Sequence, residues 1–138
     1  METASNDKED LGLGLKPGDP QYRAYVGPPE DYDLIAAMAF NLLTTLGLRQ
    51  HHSLLDIGCG SLRIGRLLIP YLNRGKYFGL EPNEWLVEEG IRRELGDTLV
   101  QIKQPTFFFP IQRTRFREQK SLLISHWLNR FSATAGLT

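Results

Sequence analysis

The chain has a single cysteine, no apolar run near the roughly 20 residues of a membrane span, and no excess of charge of either sign. One cysteine excludes an internal disulfide and fits a reducing compartment. Sixteen basic and sixteen acidic side chains cancel, so net charge points to neither nucleic acid nor a membrane surface. The first thirty residues lack the basic and apolar regions of a secretory signal, and a cytoplasmic location is expected. His51 and His52 have no Cys, Asp or Glu at metal-ligand spacing, and adjacent side chains should diverge. They read as a solvated turn, and no metal site is expected.

What is present is concentrated between Leu54 and Asn83. With 41% apolar residues in 138, the chain reads as one domain large enough for a single core. Ser53-Leu54-Leu55-Asp56-Ile57 has the length of a strand. Gly58-Cys59-Gly60-Ser61 follows, where two glycines permit a sharp turn and close approach of backbone N–H groups to a ligand. Ile64, Leu67, Leu68 and Tyr71 then recur at helical spacing, and Pro70 predicts a kink or an end near Ile69. After the turn Asn73-Arg74-Gly75 comes a second strand, Lys76 to Leu80, ending on Glu81. This is a βαβ unit with a glycine loop opening a helix and an acid at the tip of the next strand.

Such a layout suits a nucleoside cofactor. A helix N-terminus attracts an anion, and a strand-tip acid can accept from both ribose hydroxyls. A dinucleotide loop would place its third glycine where Arg63 stands, and a bulky charged residue there obstructs the pyrophosphate. A P-loop is excluded because Arg66 and Leu67 follow Gly65, where Lys and Ser or Thr are needed. The Asp-x-Gly-x-Gly run Asp56-Ile57-Gly58-Cys59-Gly60 resembles the S-adenosylmethionine motif of class I methyltransferases. Tyr77-Phe78-Gly79-Leu80-Glu81-Pro82-Asn83 resembles their acidic ribose motif.

The resemblance covers about Tyr25 to Leu95 and implies an α/β fold: a Rossmann-like three-layer sandwich with the first βαβαβ half of a doubly wound parallel sheet and an N-terminal cover helix. It implies S-adenosylmethionine as cofactor and methyl transfer to an acceptor it does not name. The cofactor-binding residues it implies are Asp56, Gly58, Cys59, Gly60, Ser61, Glu81, Pro82 and Asn83. Gly58 and Gly60 would admit the methionine part, Asp56 would orient the loop, and Glu81 would hold the ribose. No catalytic base is implied. The third glycine common in the family, two residues past Gly60, is Leu62 here, and Gly65 is expected to relieve the same crowding.

Residues 1–20 read as a mobile polar tail and 21–110 as the cofactor-binding half-domain. The segment Tyr25 to Tyr32 is expected to pack structurally, with folding over the cofactor as the alternative. From Asp33, the stripe Ile35, Met38, Ala39, Leu42, Leu43 and Leu46 predicts an amphipathic helix closed by Gly47. Arg63 and Arg66 read as surface charges, with a carboxylate partner as the alternative. Asn83 is placed to cap a helix Glu84 to Leu95 that buries Leu86, Val87, Gly90, Ile91 and Leu95, with Trp85 padding the sheet or, as the alternative, covering the adenine. The third strand is Leu99 to Ile102 or Thr106 to Phe109. Residues 111–138 read as a basic amphipathic segment expected to pack on the exposed sheet, with lipid, nucleic acid or a partner as alternatives: from Gln101 on, six basic residues stand against one acid, Glu118.

The family's later strands are not recognisable after the third, as expected of a shortened or frameshifted copy. Codons for Leu128 to Ala133 can read in a shifted frame as Gln-Ser-Ile-Phe-Ser-His, which resembles the end of the family's fourth strand. Two competing functions follow: a non-catalytic fragment or interaction module, and a nicotinamide-dependent oxidoreductase, disfavoured by Arg63. An open sheet edge would permit self-association.

Overall fold

The computed structural model describes residues 10–110. Three strands, β1 (Leu54–Ile57), β2 (Tyr77–Leu80) and β3 (Thr106–Phe108), form a parallel sheet in the order β1-β2-β3. Leu54 lies opposite Tyr77, Asp56 opposite Gly79, and Gly79 opposite Phe107. Around them run α1 (Tyr22–Tyr25), α2 (Tyr32–Thr45), α3 (Gly65–Tyr71), α4 (Glu84–Gly90) and α5 (Asp97–Lys103). The fold is α/β, with helical crossovers joining parallel neighbours.

The core lies on the sheet face that carries Leu54, Tyr77 and Phe107. Leu62, Leu68, Ile69 and Leu72 pack there with Val87, Phe40 and Leu43, drawn from α2, α3, α4 and the loop before α3. On the other face Leu55 is exposed and Ile57 is 73% exposed. Phe78, opposite Leu55 on that same face, is buried, so the face is open along β1 and covered at β2.

The βαβ unit follows the expected boundaries closely, and α3 ends one residue after Pro70. Gly47 adopts φ 105° just past α2, as a helix-ending residue in the left-handed region does. The expected helix Glu84 to Leu95 is α4 continued by a π turn, Ile91–Leu95. Leu86, Val87 and Gly90 are buried on it.

Two assignments change. Leu99 to Ile102 lies in α5, and the strand is Thr106–Phe108. Gln104 takes a left-handed φ of 49° before Pro105, which ends the helix and starts the strand. On α2 the buried residues are Tyr32 and Ala36, with Phe40 and Leu43 packed on the core, while Met38, Leu42 and Leu46 are exposed. Tyr32 hydrogen-bonds to Ser61, and Phe40 meets Tyr71 edge-on at 5.2 Å. These aromatic anchors fix the rotation of a helix whose apolar residues cover more than one face.

From Asp10 the expected tail makes turns tied to the domain. Gln21 Nε2 donates to Asp10 O at 3.0 Å, and Gly14 N–H donates to Glu30 at 2.9 Å. The basic segment 111–138 lies outside the described residues. No helix among those described is long and apolar enough to cross a membrane.

Candidate functional site at the glycine loop

The chain leaves β1 by folding over the end of β2: Gly58 and Cys59 both donate their N–H to Leu80 O, at 2.7 and 3.2 Å. Gly58 has φ 78°, and a Cβ built on it would meet nothing within 4 Å. Its bare Cα therefore faces open space. Gly60 has φ 53°, but a Cβ there would stand 2.9 Å from Val26 Cγ1. Both glycines were expected to admit a ligand; only Gly58 is open, and the face of Gly60 is taken by the N-terminal segment.

Leu62 adopts φ 62°, the conformation a glycine would take there, and is fully buried. For an L-residue this costs about 1–2 kcal/mol, while burying a leucine contributes about 1.5–3 kcal/mol. Burial is therefore enough to hold the strained backbone. Gly65 makes room as expected, since a Cβ on it would lie 3.2 Å from Leu62 Cδ2 and 2.7 Å from Tyr77 Oη. The left-handed step at Leu62 also delays α3 to Gly65. The loop Gly58–Ser61 is thus a turn away from the helix, and the expected anion site at the helix N-terminus is not formed by these residues.

Glu81, the acid at the tip of β2, is 6% exposed. Its Oε2 accepts from Gly60 N–H at 3.0 Å, and its Oε1 from the backbone and side-chain N–H groups of Asn83 at 2.9 and 3.0 Å. A carboxylate has about four acceptor positions, so three are in use. Asn83 precedes α4, yet its side chain turns back to Glu81 and makes no cap bond. Pro82 between them is exposed. Asp56 was expected to orient the loop; it accepts instead from Tyr77 Oη at 2.7 Å, on the core side of the sheet. Burial raises its pKa above the usual carboxylate range, and the Tyr77 bond opposes that.

Cys59 and Ser61 are buried within the turn. The Cys59 sulfur lies over Gly79, 2.8 Å from where a Cβ would stand. Burial, with Asp56 and Glu81 nearby, pushes the thiol up to about 12, so it is protonated and unreactive at neutral pH. Ser61 is held by Tyr32, whose hydroxyl donates to Ser61 O at 3.0 Å and lies 3.1 Å from its Oγ.

Above the loop stands a cluster of charges that no periodicity signalled. Arg23 forms an ion pair with Glu94, and its Nε donates to Glu94 Oε1 at 2.8 Å. Tyr22 Oη donates to the same oxygen at 2.6 Å. Arg66 pairs with Asp33 and reaches Glu94 at 3.4 Å, so it meets carboxylates, the alternative to a surface charge. Both guanidinium groups stack on the Tyr32 ring, at 4.4 Å for Arg23 and 5.3 Å for Arg66. Burial works against the Arg23 charge, but bonds to Tyr22 and Glu94 outweigh it and raise its pKa. Burial also pushes the Tyr22 and Tyr32 hydroxyls up to about 12. These partners lie up to 72 residues apart, beyond the reach of local sequence pattern.

Two further expectations change. Trp85 does not pad the sheet: it meets Tyr25 edge-on at 5.2 Å. With Asp10, Gln21, Tyr22, Glu88 and Arg93 it lines a cleft of about 370 Å³ on the outer side of α4, apart from the glycine loop. The His51 and His52 rings do not diverge; their centroids are 4.4 Å apart.

No protein-family model, curated protein or solved structure matches the chain.

Proposed function

We propose that the chain is a Rossmann-like domain that binds S-adenosylmethionine at Gly58 and Glu81 and belongs to a methyltransferase acting on an acceptor yet to be identified. The observation that carries this reading is the hydrogen bond from Gly60 N–H to Glu81 Oε2, 3.0 Å long, which joins the glycine loop to the acid at the carboxyl ends of adjacent parallel strands. The residues fit the group: open space faces Gly58, and the buried Glu81 carboxylate, bonded to Gly60 two residues on, has one acceptor position unused.

In this reading Gly58 lets the methionine part approach the backbone. Glu81 accepts from the ribose, with its Asn83 side-chain bond available for exchange. When bound, the cofactor supplies a methyl group already activated on a sulfonium, so the protein's task is alignment and exclusion of water. Cys59, Ser61 and Asp56 act from beneath, shaping the turn. Arg63 supports this reading over a nicotinamide cofactor. It occupies the third-glycine position of a dinucleotide loop, with its Nη1 3.1 Å from a Cβ built on Gly27.

A second reading, a partner-binding module, draws on the exposed Leu55 and Ile57 of β1. Calorimetry with S-adenosylmethionine, S-adenosylhomocysteine and NAD separates the cofactors. Binding of the first two, with NAD weaker, is expected; equal or stronger NAD binding overturns the methyltransferase reading.

A further inference from the structure

The glycine loop has a roof. Val26 packs against Gly60, Arg63 lies against Gly27, and Tyr25 meets Trp85 edge-on. The segment carrying these contacts, residues 21–27, includes α1, ends on Gly27, whose φ of 147° suits a glycine, and is followed by Pro28-Pro29. Arg23, in its middle, is buried with its guanidinium on Glu94. A buried ion pair adds little net stability compared with an apolar packing of the same volume, but its geometry is demanding, and removing one partner leaves a buried charge unmatched. It therefore works better as a positioning device than as general adhesive.

We infer that residues 21–27 form a strap closing over the glycine loop, with the Arg23–Glu94 ion pair as its latch. Arg23 and Glu94 are positioning residues. They also set Tyr32, which Arg23 and Arg66 stack on and whose hydroxyl holds Ser61. Strap and loop are coupled through one ring. Opening the latch frees Val26 from Gly60 and exposes the loop, so the strap controls how fast a ligand leaves. This last step rests on the loop being the ligand site proposed above.

The full chain carrying Trp127→Phe leaves Trp85 as its sole tryptophan reporter. In that background Glu94→Gln should speed tryptic cleavage after Arg23 at least tenfold and raise acrylamide quenching of Trp85, while thermal unfolding stays cooperative. Unchanged cleavage and quenching overturn the latch. Val26→Ala keeps the ion pairs and removes the contact on Gly60, which also serves if Glu94→Gln does not fold. It should speed dissociation of S-adenosylhomocysteine several-fold with Arg23 still protected; an unchanged rate overturns the strap as a gate. If the parent binds no S-adenosylhomocysteine, the methyltransferase reading fails, and cleavage and quenching alone decide the strap.

Discussion

The glycine loop is held from below and from above by opposite kinds of force. Below it, Leu62, Leu68, Ile69, Leu72, Tyr77 and Val87 form a close-packed apolar cluster against the sheet. Above it, Arg23, Arg66, Asp33 and Glu94 surround the Tyr32 ring with charge. The lower side gains free energy in proportion to area removed from water and tolerates small shifts. Charges on the upper side depend on distance and orientation, and Asp33, 65% exposed at its side chain, is open to screening by salt. A loop fixed below and clasped above can keep its shape while its cover moves.

Cutting into the lower side should have the largest effect. Leu68→Ala removes a fully buried side chain from the centre of the cluster and should cost about 2–5 kcal/mol of unfolding free energy, read by urea denaturation. A loss below about 1 kcal/mol would mean that this cluster does not carry the fold.

Leu62→Gly sharpens the comparison at the point where strain and burial meet. Deleting the side chain costs on the scale of a large-to-small core change, about 2–5 kcal/mol, while relieving the left-handed φ returns about 1–2 kcal/mol. A net loss of about 0–4 kcal/mol, centred near 2, is expected from these terms. A more stable glycine variant would show that strain, not burial, dominates there.

Glu81→Ala acts where loop and strand tip meet. Hydrogen bonds to a charged group are worth about 1.5–3 kcal/mol, so S-adenosylhomocysteine should bind roughly ten- to a hundredfold more weakly. Because Glu81 is buried and holds Gly60 and Asn83, the variant should also lose stability, which its position at a strand tip does not suggest. Affinity unchanged in a folded variant would remove Glu81 from the ligand site.

The smallest effects near neutral pH concern protons. Tyr22, Tyr32 and Cys59 all have pKa values raised to about 12 from ordinary values of 10, 10 and 9. The folded state favours their neutral forms, so this stabilisation is complete below about pH 9. It is lost as pH rises toward 12, because the unfolded chain gives up its protons first. Urea midpoints should be flat from pH 7 to 8.5 and fall by pH 11, and Cys59 should resist alkylation at pH 8 until the chain unfolds. Rapid alkylation of native protein would place the thiol outside the turn.

How much of this was legible follows from the range of each signal. β1, the glycine turn, β2 and α4 are local: short apolar runs, paired glycines and a helix pattern from Glu84 encode them within a few residues. The rotation of α2 is not legible locally because the helix carries two apolar stripes, Ile35, Met38, Leu42 and Leu46 on one side and Tyr32, Ala36, Phe40 and Leu43 on another, and only the tertiary anchors Tyr32 and Phe40 select the second. Leu99 to Ile102 is too short an apolar run to separate strand from helix by period. Glu81 was found from its spacing, but its grip on Gly60 and Asn83 was not, since that depends on side-chain direction. The clasp was invisible because Arg23 and Glu94 come together only when the chain folds.

The most direct test of the site is residue-resolved: a titration of the ¹⁵N-labelled chain with S-adenosylhomocysteine, followed by backbone amide shifts. Gly58, Gly60 and Asn83 should move most, because a ribose at Glu81 exchanges with or perturbs the bonds those amides make. Shifts concentrated instead at Gln21 and Glu88, beside the cleft on α4, or an equal response to NAD at the loop, would contradict the assignment of Gly58 and Glu81 as an S-adenosylmethionine site.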